Sequence, residues 1–582
     1  MTWDLTYALA EEIGDPDLFV GREQEMKRLM DWAEGTKRRH SKSMAILSRR
    51  KKGKTALLQR FFNILFTRND PQLIPFYYRI PEKKQFELSF TESFYRRTLT
   101  QYFAFVHRKP EWVRKVLSID ALKELGAGDP DIADDILEME DMMARAPSSA
   151  WIYAQEAAHR LSQAKDIRIL QILDEFQYLN KFIYLTADST EPELLCHSYM
   201  GAAESKFSPQ IVAGSYIGWL EAILGHLTAR YREWHLEGLT DAEALESVFN
   251  YAYNFEVPIT SETASYIAEV CANDPFYIAA TITNTPEEKD LTTEEGVREA
   301  LAFETVTGQG EIARVWNEYL QDAFSRVNDI NARKIVLYLA HHDPESRTRK
   351  QIREDLDLTM SEGDLEKRMH QLVYSDILAY GRSYFHYKGL GDRVFAMIFR
   401  RLYGAEVEQL DEPAMEAEFK RGLAALKGQL ANTKGALAEH RVRYRLLLAS
   451  LRGATLADVV HQAPTSDTPL GPFDRIRKAR FHLDQERSVE IDLHAVHKED
   501  GPDLMVEVKD WEGMPSREAI QRFVDIKTML ADQLERKKTI FLFYSENGLN
   551  DDGAAILADA GILLMDPKKL AAFEASNDQT SP

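Results

Sequence analysis

Short apolar runs bounded by polar turns alternate along the chain with longer stretches in which apolar residues recur every three to four positions, the pattern of an α/β protein. Ser43-Met44-Ala45-Ile46-Leu47 predicts a short buried strand, and Ala56-Leu57-Leu58-Gln59-Arg60-Phe61-Phe62 opens an apolar-periodic helix. Residues 167–173 and 210–213 are further β-rich runs. Ahead of both, residues 86–164 read as mostly helical, rich in aromatics and acids, and longer than the usual connection between two strands of such a core. No chemistry attaches to that stretch. Residues 258–325 remain helical, with Thr263, Tyr266, Ile267 and Val270 spaced along one face. Three shorter helices follow, over 331–339, 349–356 and 361–375. They end in a hairpin over 377–387 that turns at Gly381-Arg382-Ser383, which predicts a winged helix. Leu423, Leu426, Leu430 and Leu437 mark a long amphipathic helix, for which core packing and a homo-oligomeric seam both remain open. Beyond it the pattern predicts a helix over 437–451 and a hairpin of residues 488–496 and 503–509. A helix after Pro515-Ser516-Arg517, a buried strand over 539–545, a helix from Asp551 and a strand over 561–565 complete the chain.

Composition narrows this picture. A chain of 582 residues is too long for one core and predicts three or four domains. Hydrophobic residues make up 44% of it, yet no run of about 18 uninterrupted apolar residues occurs, so no membrane span is predicted. The start Met1-Thr2-Trp3-Asp4 lacks the basic and apolar regions of a secretory signal, which makes the cytoplasm the expected compartment. Cys196 and Cys271 lack metal-ligand spacing and read as small buried residues. A formal net charge of −21 argues against whole-surface attraction to nucleic acid, so any such binding must be local. The basic clusters at Lys37-Arg38-Arg39, Arg49-Arg50-Lys51-Lys52, Arg475-Arg477-Lys478-Arg480 and Arg536-Lys537-Lys538 each fit a solvated face better than a binding patch.

The strongest chemical signal lies between the first strand and its helix. Ser48-Arg49-Arg50-Lys51-Lys52-Gly53-Lys54-Thr55 matches the phosphate-binding pattern G-x-x-x-x-G-K-[ST], with Ser48 in place of the first glycine. Backbone N–H groups at a helix N-terminus point at phosphate, Gly53 lets the backbone come close, Lys54 reaches the terminal phosphates of ATP, and the Thr55 hydroxyl suits Mg2+. The strand over 167–173 then delivers Asp174-Glu175. This places Asp174 to hold a magnesium ion and Glu175 to orient and deprotonate water. The strand over 210–213 leads to Gly214-Ser215, where Ser215 could sense a γ-phosphate.

Four motifs together resemble the archaeal-type ATPases of the STAND division of AAA+-related P-loop NTPases, over about the first 280 residues. They are Phe19-Val20-Gly21-Arg22-Glu23, the loop ending in Gly53-Lys54-Thr55, Ile172-Leu173-Asp174-Glu175-Phe176-Gln177-Tyr178, and Gly214-Ser215. The resemblance implies that Gly21 and Arg22 lie by the adenine. It further implies that the turn Asn273-Asp274-Pro275-Phe276-Tyr277 approaches the nucleotide through Pro275, although the glycine usual there is missing. Arg230 falls where relatives carry a nucleotide-facing arginine; a helix-end surface charge is the alternative. The family commonly carries a winged helix after its helical lid. Here the would-be recognition helix begins Glu362-Gly363-Asp364, and acids at that end disfavour phosphate approach.

A second constellation lies near the C-terminus. Glu507 and Lys509 alternate on one face of a strand, and the hairpin can bring Asp492 alongside. Two carboxylates would hold magnesium, and Lys509 would position or deprotonate water and offset developing charge. From about residue 435 to 570 this D…E-x-K arrangement resembles the PD-(D/E)XK nuclease superfamily. That resemblance implies Glu439 as the helical metal-binding acid and Gln521 as the glutamine of some branches; a solvated hairpin face is the alternative.

The expected architecture is an α/β multidomain chain. It comprises a P-loop NTPase core with a parallel sheet (1–257), a helical lid (258–325), a winged helix (326–404), a linker helix (405–434) and a restriction-endonuclease-like domain (435–582). The expected function is an ATPase, with ATP and Mg2+ as cofactors, whose nucleotide state controls a DNA nuclease in defence or DNA processing. The alternative is a regulatory ATPase that binds DNA or a protein partner and carries a non-cutting C-terminal domain.

Overall fold

Every residue of β1 (Met44–Leu47) is buried, as a strand covered on both faces requires. In the computed structural model it belongs to a wholly parallel sheet with β2 (Leu73–Arg79), β4 (Arg168–Asp174), β6 (Gln210–Gly214) and β7 (Arg232–His235); β3 (Gln85–Phe86) and β5 (Ile183–Tyr184) pair separately. The residues described are 5–215, 220, 223–224, 230–283, 289–306, 309–325, 330–343, 345–381, 385–408, 434–462, 468–482, 488–498, 501–509, 514–534 and 538–575. Most of the expected linker helix, Arg382-Ser383 of the expected winged-helix turn and the basic pair Arg536-Lys537 lie outside them.

The sheet order is β2-β4-β6-β1-β7. The chain therefore leaves β1 for the far edge, returns through β4 and β6, and adds β7 on the other side of β1. Such a reversal opens a crevice at the carboxyl ends of the strands, where β1 meets its helix Lys54–Arg68. Neither β2 nor β7 was legible in the hydrophobic pattern. Pro75 interrupts β2, which tolerates it because β2 is an edge strand. β7 reads Arg-Glu-Trp-His, with only Trp234 buried.

The helical stretch after β3 is built on aromatic packing. Helix Glu87–Val106 buries Phe90 and Phe94, and helix Pro147–Gln155 sets Trp151 against them at ring-centroid distances of 5.1 and 5.4 Å. The Trp151 indole donates to Ser198 Oγ at 2.9 Å, so its polar edge is satisfied although the side chain is buried.

By compactness the chain divides into two units that do not follow sequence order. Met1–Gly238 groups with Asn317–Asp392, and Leu239–Trp316 groups with Arg393–Pro582. The first unit contains helices Arg349–Asp355 and Glu362–Tyr374 and a small antiparallel sheet of β8 (Arg347–Thr348), β10 (His386–Lys388) and β9 (Ala379–Tyr380). Two strands of that sheet were expected, and β8 is the addition. Glu362 and Glu366 of the would-be recognition helix pair with Arg353 and Arg349 of the preceding one, at 3.6 and 2.5 Å.

The second unit holds helices Asp241–Asn254, Ser261–Val270, Pro275–Thr283 and Glu294–Val306, together with a five-stranded sheet ordered β11-β12-β13-β14-β15. The strands are β11 (Phe473–His482), β12 (Ser488–His497), β13 (Asp503–Lys509), β14 (Thr539–Ser545) and β15 (Leu563–Leu564). β11 to β13 run antiparallel, and β13 to β15 parallel. β11 had been read only as a basic cluster. Helix Arg517–Leu534 buries Ile520, Phe523, Ile526 and Leu530 against Met505, Phe541 and Phe543 of the sheet. In the same unit Arg443, on helix Lys434–Leu451, pairs with Asp241 at 2.7 Å. Among the described residues no helix is long and apolar enough to cross a membrane.

Truncating Trp151 to alanine removes the centre of the aromatic cluster and should cost about 3–5 kcal/mol. A denaturant titration of the purified protein should show the corresponding fall in the midpoint of the transition that reports this unit.

Candidate functional site

The loop between β1 and its helix is shaped by two left-handed residues, Lys51 (φ 65°) and Gly53 (φ 80°). Glycine adopts that conformation without penalty, and Gly53 is the N-cap residue from which Lys54 and Thr55 start the helix. The unpaired N–H groups of the first helical turn therefore open into the crevice. Arg22 braces the loop from outside. Itself left-handed (φ 62°) and only 3% exposed, it donates to Lys52 O at 3.1 Å and Gly238 O at 3.3 Å, and pairs with Glu25 at 2.9 Å. Gly21, with φ 72°, makes the preceding turn. Ser48 takes the missing glycine's position with a negative φ; its Oγ is buried and has no partner among the described residues.

β4 brings the acids to the same crevice. Asp174 is fully buried, and its Oδ2 accepts from Thr55 Oγ1 at 2.7 Å and from the Tyr77 hydroxyl at 3.1 Å. Its Oδ1 accepts from the Glu175 N–H at 3.0 Å. Burial, and after it the adjacent charge of Glu175, raises the Asp174 carboxyl above the ordinary range, against the pull of Lys54 and Thr55. Glu175 shifts the other way. Burial pushes it up, but the Lys54 ammonium and hydrogen bonds from Ser215 and Gln177 outweigh burial and hold its carboxyl below the usual range. Glu175 is left-handed at φ 54°, a strained conformation for a residue with a side chain and one found at functional sites. Ser215 Oγ donates to Glu175 Oε2 at 2.7 Å and Gln177 Nε2 donates to the same oxygen at 2.5 Å. Lys54, only 5% exposed, completes the group. Ser48, Gly53, Lys54, Thr55, Asp174, Glu175 and Ser215 thus converge, with Gly21 and Arg22 supporting the loop. Tyr77 and Gln177 were missed. Gln177 carried a signal in its spacing two residues after Glu175, whereas Tyr77 carried none, because β2 itself was not recognised.

One expected residue does not join this group. Arg230 approaches Glu204 at 3.4 Å and lies just ahead of β7, whose first residue pairs with Met44 at the start of β1. In a parallel sheet that is the end opposite the loop, which corrects its expected place facing the nucleotide. Pro275 lies in the other compact unit, in the first turn of helix Pro275–Thr283, where Asp274 caps Phe276 N–H at 2.9 Å. The basic loop residues are also not simply solvated: Arg49 pairs with Asp392 at 3.1 Å, and Arg50 with Glu82 at 3.2 Å and Glu318 at 3.6 Å.

In the second unit the sheet gathers Asp492, Glu507 and Lys509. Arg477 of β11 stands opposite His494 and Ala479 opposite Ile491, so Asp492 and Leu493 face a single residue of β11. This bulge re-aims the Asp492 side chain, as bulges beside functional sites do. Asp492 Oδ2 then accepts the Val508 N–H at 2.9 Å and lies 3.6 Å from Lys509 Nζ, which donates to Glu507 Oε1 at 2.6 Å. Burial first and the Asp492 charge second raise the Glu507 carboxyl, against Lys509. Gln521 does not join them, being exposed and donating to Asp525 at 3.1 Å. The neighbouring Arg522 on that helix acts on Glu507 as a weaker, lowering charge. Glu439 lies in helix Lys434–Leu451, but its side chain falls outside the described residues.

Both groups fit a magnesium ion in part. Thr55 and Asp174 present adjacent oxygens, and Asp492 and Glu507 are two carboxylates beside one cation. Among the described residues no cluster of three or more His, Cys, Asp and Glu is arranged to hold a metal. Magnesium keeps several waters and takes one or two carboxylates plus substrate phosphates, so two protein oxygens suffice.

No protein-family model matches the chain, and no curated protein matches it. Among solved structures it is similar to the Walker-type ATPase of Pyrococcus abyssi, with 14% identity and a TM-score of 0.47, covering 68% of this chain and 99% of that one. The ORC2 protein of Aeropyrum pernix shows 13% identity and a TM-score of 0.36, covering 66% and 95%. The RuvB Holliday-junction branch-migration motor of Thermotoga maritima shows 14% identity and a TM-score of 0.31, also covering 66% and 95%. At these scores the likenesses carry no weight for activity.

Because the Glu507 pKa is raised, the carboxyl is protonated below a value above the ordinary carboxylate range, and divalent-cation affinity should strengthen as pH rises through it. Calorimetric titration with Mn2+ across a pH series should show this dependence. Glu507→Gln should flatten it and weaken binding.

Proposed function

We propose that the chain binds and hydrolyses ATP at the crevice of the parallel sheet. The observation that carries this reading is the 2.7 Å hydrogen bond from Thr55 to Asp174, with Lys54 buried beside Asp174 and Glu175. Thr55 and Asp174 would hold magnesium, which supplies charge neutralisation at the β- and γ-phosphates when bound. The first-turn N–H groups and Lys54 bind the phosphates, and Glu175, kept ionised by its surroundings, accepts a proton from water. Membership of the STAND division of AAA+-related ATPases rests on the four motifs. The hydrogen bonds of Arg22 set it and Gly21 beside the phosphate loop, and their place by the adenine rests on the resemblance. Pro275 is proposed as a further nucleotide contact on that resemblance alone.

The second part of the reading is a magnesium-dependent nuclease of PD-(D/E)XK type whose activity follows nucleotide state. The convergence of Asp492, Glu507 and Lys509 supports it. Asp492 and Glu507 would hold the metal, which polarises a phosphodiester when bound; Lys509 positions water and stabilises developing negative charge. Glu439 is a proposed additional ligand. Control by nucleotide is supported by the Asp241–Arg443 pair, which ties helix Asp241–Asn254, expected in the ATPase core, to the helix under β12 and β13 within one compact unit. DNA is the proposed substrate, and defence or DNA processing the proposed setting. One observation favours a non-cutting module instead: Lys509 reaches both carboxylates and offsets one of their two negative charges.

Lys54→Ala should abolish ATP turnover and weaken nucleotide binding, whereas Glu175→Gln should retain binding and slow turnover about 10²- to 10⁴-fold. Phosphate release and binding of a fluorescent ATP analogue read these separately; unchanged turnover in both variants would refute the assignment.

DNA cleavage with magnesium and ATP should disappear in Asp492→Ala and in Lys509→Ala while their ATPase persists. A parent protein that cuts no DNA across metals and substrates leaves the non-cutting reading.

A further inference from the structure

Two donors converge on one oxygen of Glu175. Ser215 Oγ lies 2.7 Å and Gln177 Nε2 2.5 Å from Oε2, and among the described residues no hydrogen bond is made to Oε1. The amide orientation follows from chemistry, because a carboxylate only accepts and so requires the NH2 of Gln177 to face it. Gln177 Oε1 is consequently turned toward Gly214, where a β-carbon would lie 2.2 Å away, and it is buried without a protein partner among the described residues. An unpaired buried acceptor is costly, and it persists here because the charge-assisted bond to Glu175 offsets it. The short helix Phe176–Asn180 begins at the left-handed Glu175 and folds Gln177, wholly buried, back onto the residue two positions earlier.

We propose that Gln177 is a positioning residue for ATP hydrolysis, fixing Oε2 of Glu175 so that Oε1 is presented to the attacking water. The inference rests on the ATPase reading above. The terminal torsion of a glutamate is broad and two-fold, so an unheld carboxylate would turn away from the in-line water for much of the time. In the step itself the water oxygen bonds to the γ-phosphorus while the bond to the bridging oxygen breaks and its electron pair leaves with ADP. The water proton passes to Glu175 Oε1 and then to solvent. Gln177 moves no proton. Its amide keeps the acceptor aligned and favours the ionised carboxylate, a role that Ser215 shares from the end of β6. The serine expected to sense a γ-phosphate is thereby engaged with the base.

The test compares Gln177→Met, which preserves length without a donor, and Ser215→Ala with the full-length parent. Steady-state phosphate release across pH and the affinity for a non-hydrolysable ATP analogue are measured for each. The expected result for Gln177→Met is a kcat about 10- to 100-fold lower, with KM and analogue affinity within about 3-fold of the parent. Its acid limb should move to higher pH, because a donor favouring the ionised form is lost. Ser215→Ala should move that limb in the same direction. An unchanged kcat and acid limb in Gln177→Met would overturn the inference while leaving the ATPase intact. A loss of kcat matched by an equal loss of analogue affinity would also overturn it, by showing a structural role. A parent protein with no ATP turnover would overturn both this inference and the ATPase reading.

Discussion

Asp174 is a fully buried carboxylate, and a buried carboxylate needs donors. It receives them from three directions: Thr55 in the first turn of the helix after β1, Tyr77 on β2, and the backbone of Glu175. Thr55 and Asp174 are 119 residues apart in sequence, and β6 lies between their strands, so the bond can form only once the parallel sheet has assembled in the order found. That constraint fixes the distance from the loop to the acid pair. Lys54 and Glu175 are carried with it, since each is the chain neighbour of a bonded residue.

Charge explains how so acidic a chain sustains such a site. The net charge is −21, yet the crevice gathers Lys54 and, through the loop, Arg49 and Arg50. Each arginine is held by acids of the same unit, Asp392 for one and Glu82 with Glu318 for the other. Phosphate brought to this loop would compete with those carboxylates, so the loop's charges are committed before any ligand arrives. In the second unit the arrangement is comparable. Lys509 sits between Asp492 and Glu507, and the three reach one another because the bulge at Asp492 turns its side chain to take the Val508 N–H. A regular ladder would have given that N–H to a backbone carbonyl.

How much of this was legible depended on what kind of signal each residue carried. The loop from Ser48 to Thr55, the acid pair Asp174-Glu175 and the pair Glu507 and Lys509 were readable from local order, because backbone geometry ties spacing to direction over a few residues, whereas Asp492 joins them through the hairpin and its bulge. Arg230 was not, since its place just ahead of β7 depends on the register of a strand whose own sequence carries no apolar alternation. Gln521 likewise has the right element but points to Asp525, a choice made by its helix neighbours.

The sequence by itself determined the strands β1, β4, β6, β12, β13 and β14, most of the helices, and the residue types able to bind phosphate and divalent metal, since these follow from periodicity, propensity and side-chain chemistry along a few residues. Only the tertiary structure decided that Tyr77 and Gln177 belong to the site, that Arg230 does not, and that helices Ser261–Val270, Pro275–Thr283 and Glu294–Val306 share a unit with the C-terminal sheet. The reason is physical: strand order, a bulge and the pairing of distant charges are set by packing between segments far apart in the chain. No local pattern encodes which partner a buried donor or acceptor will find.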